Sequence, residues 1–547
     1  MENRWGHGPE SAVDDIDRLV YLSNLVGAEP SLVQPGGGNS SVKLRAPNAL
    51  GGEEEVLAVK GSGTDLATIR RQGFTRLSMA RLAHLRDRDE MADEEMMEFM
   101  RACMLHPHRD PLPSVEMPLH AILPRRVIIH THDVATLSLT DVSAEKAKSL
   151  VGEAFAGDLL HLPHARPGFV LARTVRDLAP ALPESAWGLA LAHHGMVVWA
   201  DDPEECYRRL VDLVTRAEEF LKQKRVGQRV FGPPRIETPP AGRREDLAAT
   251  LLPVIRGSLG GEEKIILYWD ASDRVLDALA GERFRELSRR GVATPEHILR
   301  AGRLPLWLDL DLGLPPDGLA AQARTRLDRC RDEYLAYHRR HDTDQAEPID
   351  DWAKVVLVPG LGMIAAFSDR RNARIAGLCY AAVIDTIENA EALGGFRFLP
   401  EEEVFFFEHW PLERRKVENA IRRERRSLLL PRHVALIVGA ASGIGEAAAW
   451  RFAEEGAHVV VADLDESGAG KVAAGICERF PGRAIASSVD ARGEDSLAAA
   501  VRRTVLEFGG IDCLFYTPGL APRFAPLAET SRDDLQSQLD VHYLGAM

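Results

Sequence analysis

The stretch from Val434 to Asp463 constrains the fold more than any other part of the chain. Val434-Ala435-Leu436-Ile437-Val438 is apolar at every position, as expected of a short strand buried on both faces of a parallel sheet. Gly439-Ala440-Ala441-Ser442-Gly443-Ile444-Gly445 follows and opens an alanine-rich helical stretch, after which residues 457–463 form a second apolar strand that ends in an acid. Two parallel strands need a crossover connection, and a helix supplies it with a fixed hand. Strand and helix patterns also alternate through the rest of the chain, which places all of it in the α/β class.

The same residues imply a ligand. Backbone N–H groups at a helix N-terminus attract a pyrophosphate, so Gly439, Ser442, Gly443, Ile444 and Gly445 are expected to cradle one. Asp463, at the end of the second strand, would hydrogen-bond the ribose hydroxyls and repel a 2′-phosphate, which favours NAD over NADP. Gly360-Leu361-Gly362-Met363-Ile364-Ala365 has similar glycine spacing after a strand. No acid ends a second strand about 20 residues on, so this run is expected to be a turn between two strands.

A chain of 547 residues exceeds what one core sustains, and three domains, or four, are expected. The boundaries fall at 1–235, 236–430 and 431–547. Pro233 to Glu245 reads as a linker, and the basic stretch Arg422 to Arg426 precedes the second boundary. Within the first segment, a helix is expected from Asp14 to Val26 and a strand from Ser41 to Leu44. Strand, turn and helix follow from Val56 to Ile69, and a helix from Pro203 to Lys224 is capped by Asp201 or Asp202. The net charge of −15 argues against a nucleic-acid partner. The six cysteines are far apart and form no CxxC pair, which fits a reducing compartment and no structural zinc knot. The N-terminus lacks the apolar core of a signal peptide, and no apolar run approaches the ~20 residues of a membrane span, so a cytoplasmic protein is expected.

The chemistry concentrates in three histidines. His130 and His132 lie in Val127-Ile128-Ile129-His130-Thr131-His132, and His194 lies in the apolar run 189–199. Both runs read as buried strands, and a period of two puts His130 and His132 on one face. Three imidazoles leave a fourth position open on a zinc ion, the arrangement of a catalytic site. Glu116, at the head of an expected helix, would carry the proton. His106-Pro107-His108 has the same spacing but sits in a polar loop, so a ligand role is not expected there. His193 points away from His194, and His120, one helical turn after Glu116, is expected to be packed or hydrogen-bonded. Two glycine-rich turns, Gly36-Gly37-Gly38-Asn39-Ser40-Ser41 and Lys60-Gly61-Ser62-Gly63-Thr64, can aim N–H groups at an anion. Neither is a P-loop, so a nucleoside triphosphate is not implied.

These residues, in this order, resemble the class II aldolase/adducin family, and nearly the whole chain resembles the fused rhamnulose-1-phosphate aldolase/short-chain dehydrogenase proteins. The resemblance rests on residues 36–43 (GGGNSSVK), 60–66 (KGSGTDL), 113–116 (PSVE), 130–132 (HTH), 193–195 (HHG), 294–300 (TPEHILR) and 358–362 (VPGLG). It implies a class II aldolase-type α/β/α domain, an α/β middle extension and a partial Rossmann domain at the C-terminus. Zinc or another divalent metal would fall on His130, His132 and His194, and the acid/base role on Glu116. The phosphate-binding positions would be Gly38, Asn39, Ser62, Gly63 and Ser114. Val115 stands where fuculose-phosphate-type members have a second serine, so one phosphate hydroxyl is missing.

The implied reaction is zinc-dependent retro-aldol cleavage of a ketose 1-phosphate, of the rhamnulose 1-phosphate type, to dihydroxyacetone phosphate and lactaldehyde. Zinc acts as a Lewis acid for the electrons left on the ketone fragment. The expected partner is a small sugar phosphate, and the assembly a homo-oligomer such as a tetramer. Epimerases and decarboxylases of the family share the histidines, and an adducin-like binding domain is the non-catalytic alternative. In the C-terminal segment the GxxxGIG spacing resembles short-chain dehydrogenases, and Asp490 matches their adenine-side aspartate. Tyr516-Thr517-Pro518-Gly519 replaces their Asn-Asn-Ala-Gly, and the catalytic asparagine falls on His542. The family's serine and Tyr-x-x-x-Lys pair lie beyond Met547, so a truncated, catalytically incomplete dehydrogenase tail is expected.

Overall fold

The computed structural model describes residues 1–8, 14–47, 51–261, 263–342, 352–412, 427–520 and 526–547; the basic stretch Arg422 to Arg426 lies outside the described residues. The chain divides into two compact units, each discontinuous in sequence. One comprises Met1–Gly232, Glu286–Leu299 and Leu378–Phe407, the other Pro233–Arg285, Arg300–Gly377 and Glu408–Met547.

The first unit is built on a seven-stranded sheet. Its strands are β1 (Asn39–Pro47), β2 (Glu53–Lys60), β3 (Phe74–Ser78), β4 (Val127–Thr131), β5 (Leu159–Leu162), β6 (Gly188–Leu191) and β7 (Gly195–Ala200), in spatial order β3-β2-β1-β4-β7-β6-β5. All neighbours are antiparallel except β5 and β6. The central strand β4 is buried at all five positions, consistent with cover on both faces. On the face carrying Ile128, Val197 and Trp199, the helices Met117–Ile122 and Phe169–Leu178 complete an apolar cluster. The helices Val134–Thr140, Ala144–Phe155 and Pro203–Lys224 pack against one another and against the sheet. Asp202 caps the last of these by accepting from the N–H groups of Glu204 and Glu205, a contribution of about 1 kcal/mol.

Three local readings change. Residues 61–69 form turns rather than a helix, because Gly61 and Ser62 hydrogen-bond across to Gly73 and Leu112 instead of along the chain. The expected strand over 189–199 is a hairpin. Residues 192–194 make its turn, with β6 and β7 antiparallel and Leu191 opposite Gly195. The stretch 233–245 is irregular only to Pro240, where the helix Ala241–Gly260 begins.

The second unit holds two four-stranded sheets. One, from β8 (Ile266–Asp270), β9 (Leu306–Trp307), β10 (Val355–Val358) and β11 (Gly362–Phe367), has the order β8-β11-β10-β9. The Gly360 run is the turn between antiparallel β10 and β11. The other, from β12 (Val434–Val438), β13 (His458–Asp463), β14 (Ala484–Ser488) and β15 (Cys513–Tyr516), is wholly parallel in the order β14-β13-β12-β15. That order is the first half of a doubly wound dinucleotide fold. Within this unit a buried ion pair, Arg256 with Asp512 at 2.6 Å, links the helix before β8 to the strand end before β15. Asp512 also accepts from Lys264 at 2.8 Å and from the Val434 N–H at 2.8 Å. Among the described residues no helix is long and apolar enough to cross a membrane.

Candidate active site

His130 is the penultimate residue of β4, and His132 follows the strand directly. His194 closes the β6–β7 turn. His193 adopts φ +58° in that turn, and its Nδ1 is hydrogen-bonded to Asp141 Oδ1 at 3.1 Å. This bond, rather than strand alternation, separates the two adjacent histidines. Gly195 must be glycine, since its φ is +141° and a Cβ there would lie 2.0 Å from the Thr131 carbonyl oxygen. The turn is thereby pressed onto the end of β4, which brings the three rings together.

Ring centroids of His130 and His132 are 4.8 Å apart, those of His130 and His194 4.8 Å, and those of His132 and His194 5.3 Å. One nitrogen from each ring lies within 4.8 Å of the others. His130 Nδ1 donates to the Met196 carbonyl at 2.9 Å, which leaves Nε2 as a lone pair facing the cluster, the usual outer-shell support of a ligating histidine. Burial pushes His130 down to about 4, against the pull of Glu116. Burial, with His130 and His194 alongside, takes His132 well below the ordinary histidine value. Burial thus favours the uncharged ring, the form that ligates metal. Glu116 Oε1 stands 3.0 Å from His194 Nε2 and 3.5 Å from His130 Nε2. Burial pushes Glu116 up, but His130, His194 and His132 outweigh it and hold the carboxylate well below its usual range.

The donor set fits a divalent cation. Glu116 Oε1 is buried and, among the described residues, finds only imidazole nitrogens beside it, and His130 Nε2 and His132 Nε2 stand 3.0 Å apart, a crowding of donor atoms that suits a cation among them.

The anion residues also come together in part. Asn39 Nδ2 reaches Ser114 Oγ at 3.5 Å. The Ser62 N–H bonds the Leu112 carbonyl at 2.7 Å, and the Ser114 N–H bonds the Lys60 carbonyl at 3.1 Å. Gly38, beside Asn39, has φ +60°, and Gly63 is exposed. His106 and His108 take no part in the histidine group. Sequence reasoning missed Gln34 and His297. The His297 ring, fully buried, bonds Gln34 Oε1 through Nε2 at 3.0 Å, two residues before the glycine run. Its signal was the TPEHILR run, which carried no chemistry of its own.

In the second unit, Gly439 through Gly445 turn from β12 into the helix Gly443–Glu454. A Cβ on Gly445 would lie 2.0 Å from the Gly439 carbonyl oxygen, so the turn closes only on glycine. Asp463 Oδ2 accepts from the Ala441 N–H at 2.9 Å, and its Oδ1 from the Asp465 N–H at 2.9 Å. Ser442 stands at the helix N-cap, and Ile444 is exposed. Asp490 pairs with the Arg492 guanidinium at 2.9 and 2.7 Å. His542 Nε2 accepts from the Leu520 N–H at 3.2 Å.

Three family profiles match the chain. The Class II Aldolase and Adducin N-terminal domain covers residues 17–221, the Aldolase class II second domain 246–417, and the Enoyl-(Acyl carrier protein) reductase profile 439–547. A Bacillus subtilis (strain 168) protein, described as the uncharacterized oxidoreductase YuxG, is 35% identical over 96% of this chain and 75% of its own length. The cis-4-hydroxycyclohexanecarboxylate dehydrogenase of Sinomonas cyclohexanicum is 46% identical over 18% of this chain, which spans 38% of that enzyme. The solved N-terminal class II aldolase domain of a Thermoplasma acidophilum protein is 37% identical, covers 40% of this chain and 99% of its own, with a TM-score of 0.37.

Proposed function

Because this chain belongs to the class II aldolase/adducin family, in the form that carries a short-chain dehydrogenase-like C-terminal region, we propose that it is a divalent-metal-dependent aldolase. Its substrate in this reading is a ketose 1-phosphate of the rhamnulose 1-phosphate type, cleaved to dihydroxyacetone phosphate and lactaldehyde. The observation that carries the proposal is the convergence of His130, His132 and His194 on one point beside the buried Glu116 Oε1.

The three histidines would hold the cation, zinc in this reading, which when bound supplies Lewis acidity to the substrate's carbonyl and neighbouring hydroxyl. Glu116, ionised and fixed beside them, moves the proton at the carbon next to the carbonyl. Cleavage removes the proton from the hydroxyl of the carbon that becomes the aldehyde, leaves the electron pair of the broken carbon–carbon bond on the ketone fragment, and returns one proton to that fragment's carbon. Glu116, ionised at the start, would receive the first proton and deliver the second. Backbone donors of Gly38 and Gly63 and the hydroxyls of Ser62 and Ser114 would orient the phosphate end away from the metal. The profile matches support three modules with boundaries near 235 and 430. The glycine turn and Asp463 are proposed to bind NAD, and any redox activity of the tail belongs with that proposal.

The deciding experiment is an assay of rhamnulose 1-phosphate cleavage with and without a chelator. Cleavage that chelator abolishes and zinc restores is the expected result. Chelator-resistant cleavage, or a product with inverted configuration and no aldehyde, would displace the reading.

A further inference from the structure

Behind the histidines, Ser41, His120, Asn39 and Glu116 form one hydrogen-bonded line. Its geometry comes from two matching repeats. Asn39 and Ser41 are two apart on β1 and so share a face, the face of His130, which stands directly opposite Asn39 across the β1–β4 pair. Glu116 and His120 are four apart at the start of a helix and so are neighbours on its surface. The His120 ring bridges these two β1 side chains. Its Nδ1 lies 2.7 Å from Ser41 Oγ, and its Nε2 bonds Asn39 Oδ1. Asn39 Nδ2 donates to Glu116 Oε2 at 2.5 Å. Ser41 and His120 are wholly buried, and Asn39 and Glu116 are 1% and 7% exposed.

One protonation pattern satisfies every atom. An ionised carboxylate only accepts, so the NH2 end of Asn39 must face Glu116 and the carbonyl end must face His120. His120 must then carry its proton on Nε2, which leaves Nδ1 to accept from the Ser41 hydroxyl. The ring has to be neutral, and burial, pushing it down to about 3, keeps it so.

Building on the aldolase reading above, we propose that His120, held by Ser41, is a positioning residue that orients the Asn39 amide to clamp Glu116 Oε2, leaving Oε1 free for proton transfer at the substrate. Asn39 is thereby engaged by the carboxylate and by Ser114, and serves the base rather than the phosphate. An amide turned the other way would set two oxygens against each other, so the line acts as an orientation lock.

The test compares His120→Phe, which keeps ring volume and removes both nitrogens, with His120→Gln, whose amide retains a donor toward Asn39. Measured are kcat, KM, inhibition by inorganic phosphate, zinc content, and the crystal structure of each variant. His120→Phe should lower kcat by roughly 10- to 100-fold, with KM, phosphate inhibition and zinc content within about twofold of wild type. His120→Gln should recover most of the loss. If His120→Phe does not fold, Ser41→Ala replaces it, with a loss of kcat of about fivefold for one hydrogen bond and KM unchanged. Weakened phosphate inhibition in step with kcat, or an unchanged kcat, would overturn the proposal. If the wild-type protein cleaves no ketose phosphate, the aldolase reading fails by itself. The line is then judged by the variant structure: a lost Asn39–Glu116 bond upholds it, and an unmoved carboxylate overturns it.

Discussion

The histidine cluster and the glycine turn are built from opposite materials. The cluster is made of side chains drawn from strand ends, loops and a hairpin turn far apart in sequence, with His130 wholly buried and Glu116 7% exposed. The turn is made of backbone, nearly contiguous from Gly439 to Gly445, and Ile444 within it is 77% exposed. A buried side-chain site depends on single atoms whose charges are mutually adjusted, so removing one atom leaves others unsatisfied. A backbone site depends on shape, and its N–H donors survive any substitution that the turn can accommodate. Side-chain changes in the first should therefore be severe and chemical, and changes in the second graded and steric.

The largest break expected is at the cluster itself. His132→Ala should release the metal and take cleavage to background, because two imidazoles do not make the site. Metal analysis alongside the assay checks it, and retained stoichiometric zinc would show that His132 is not a ligand. Glu116→Gln comes next. It keeps size and the bond to Asn39 while removing the proton carrier, so turnover should fall by roughly 10²- to 10⁴-fold with metal content unchanged. Loss of metal instead would make Glu116 a ligand, and the comparison would then rest on coordination rather than proton transfer.

How far each region was legible follows from the same contrast. The glycine turn is local, so its strands and helix could be read directly: β12 spans the apolar run that marks it in the sequence, and β13 ends at Asp463. The cluster is non-local. Alternation suggested that His130 and His132 share a face, but nothing in the run 189–199 revealed that it folds back at His193 and His194. Two adjacent histidines before a glycine look like strand until the positive φ of His193 is known. The bond between His297 and Gln34 joins positions 263 apart, beyond any periodicity. The 26-residue helix Pro316–His341 also escaped notice, because its buried stripe of Leu319, Ala323 and Leu327 is narrow and set among charged residues.

Asp512 tests whether the second unit tolerates a buried-atom change better than the first. Its carboxylate is pushed up by burial, yet Arg256 and Lys264 bring it down to about 2. Asp512→Asn leaves the Arg256 guanidinium, 9% exposed, without its counter-charge, and should destabilise the unit by ~3–5 kcal/mol. The folded value lies below the unfolded value of about 3.9. The stabilisation is therefore fully present above pH ~4 and is lost as pH falls from there toward 2. In denaturant titrations of wild type and variant, the gap seen at pH 7 should narrow by roughly half at pH 3 and close only below about pH 2. A constant gap would mean that Asp512 acts through packing and not through charge.

The smallest effect expected is at Asp463. Its two oxygens already hold the turn through the Ala441 and Asp465 N–H groups. Asp463→Asn retains one acceptor oxygen and sets its NH2 against the other N–H, so one of the two turn bonds is lost, at about 1 kcal/mol, while the fold persists. What disappears is the negative charge at the end of β13. That charge gains a charge-assisted bond to a ribose hydroxyl and repels a phosphate at the same place. Removing it should weaken NAD by about tenfold, the equivalent of one such bond, and strengthen NADP relative to it. Calorimetric titration of both nucleotides measures the ratio directly. If NAD and NADP change together, the carboxylate acts only as a brace for the glycine turn, and selectivity lies elsewhere. If the ratio shifts while Gly445→Val abolishes both, shape decides whether a nucleotide binds and one side chain decides which, so even the backbone-built site would depend on a single charge for its specificity.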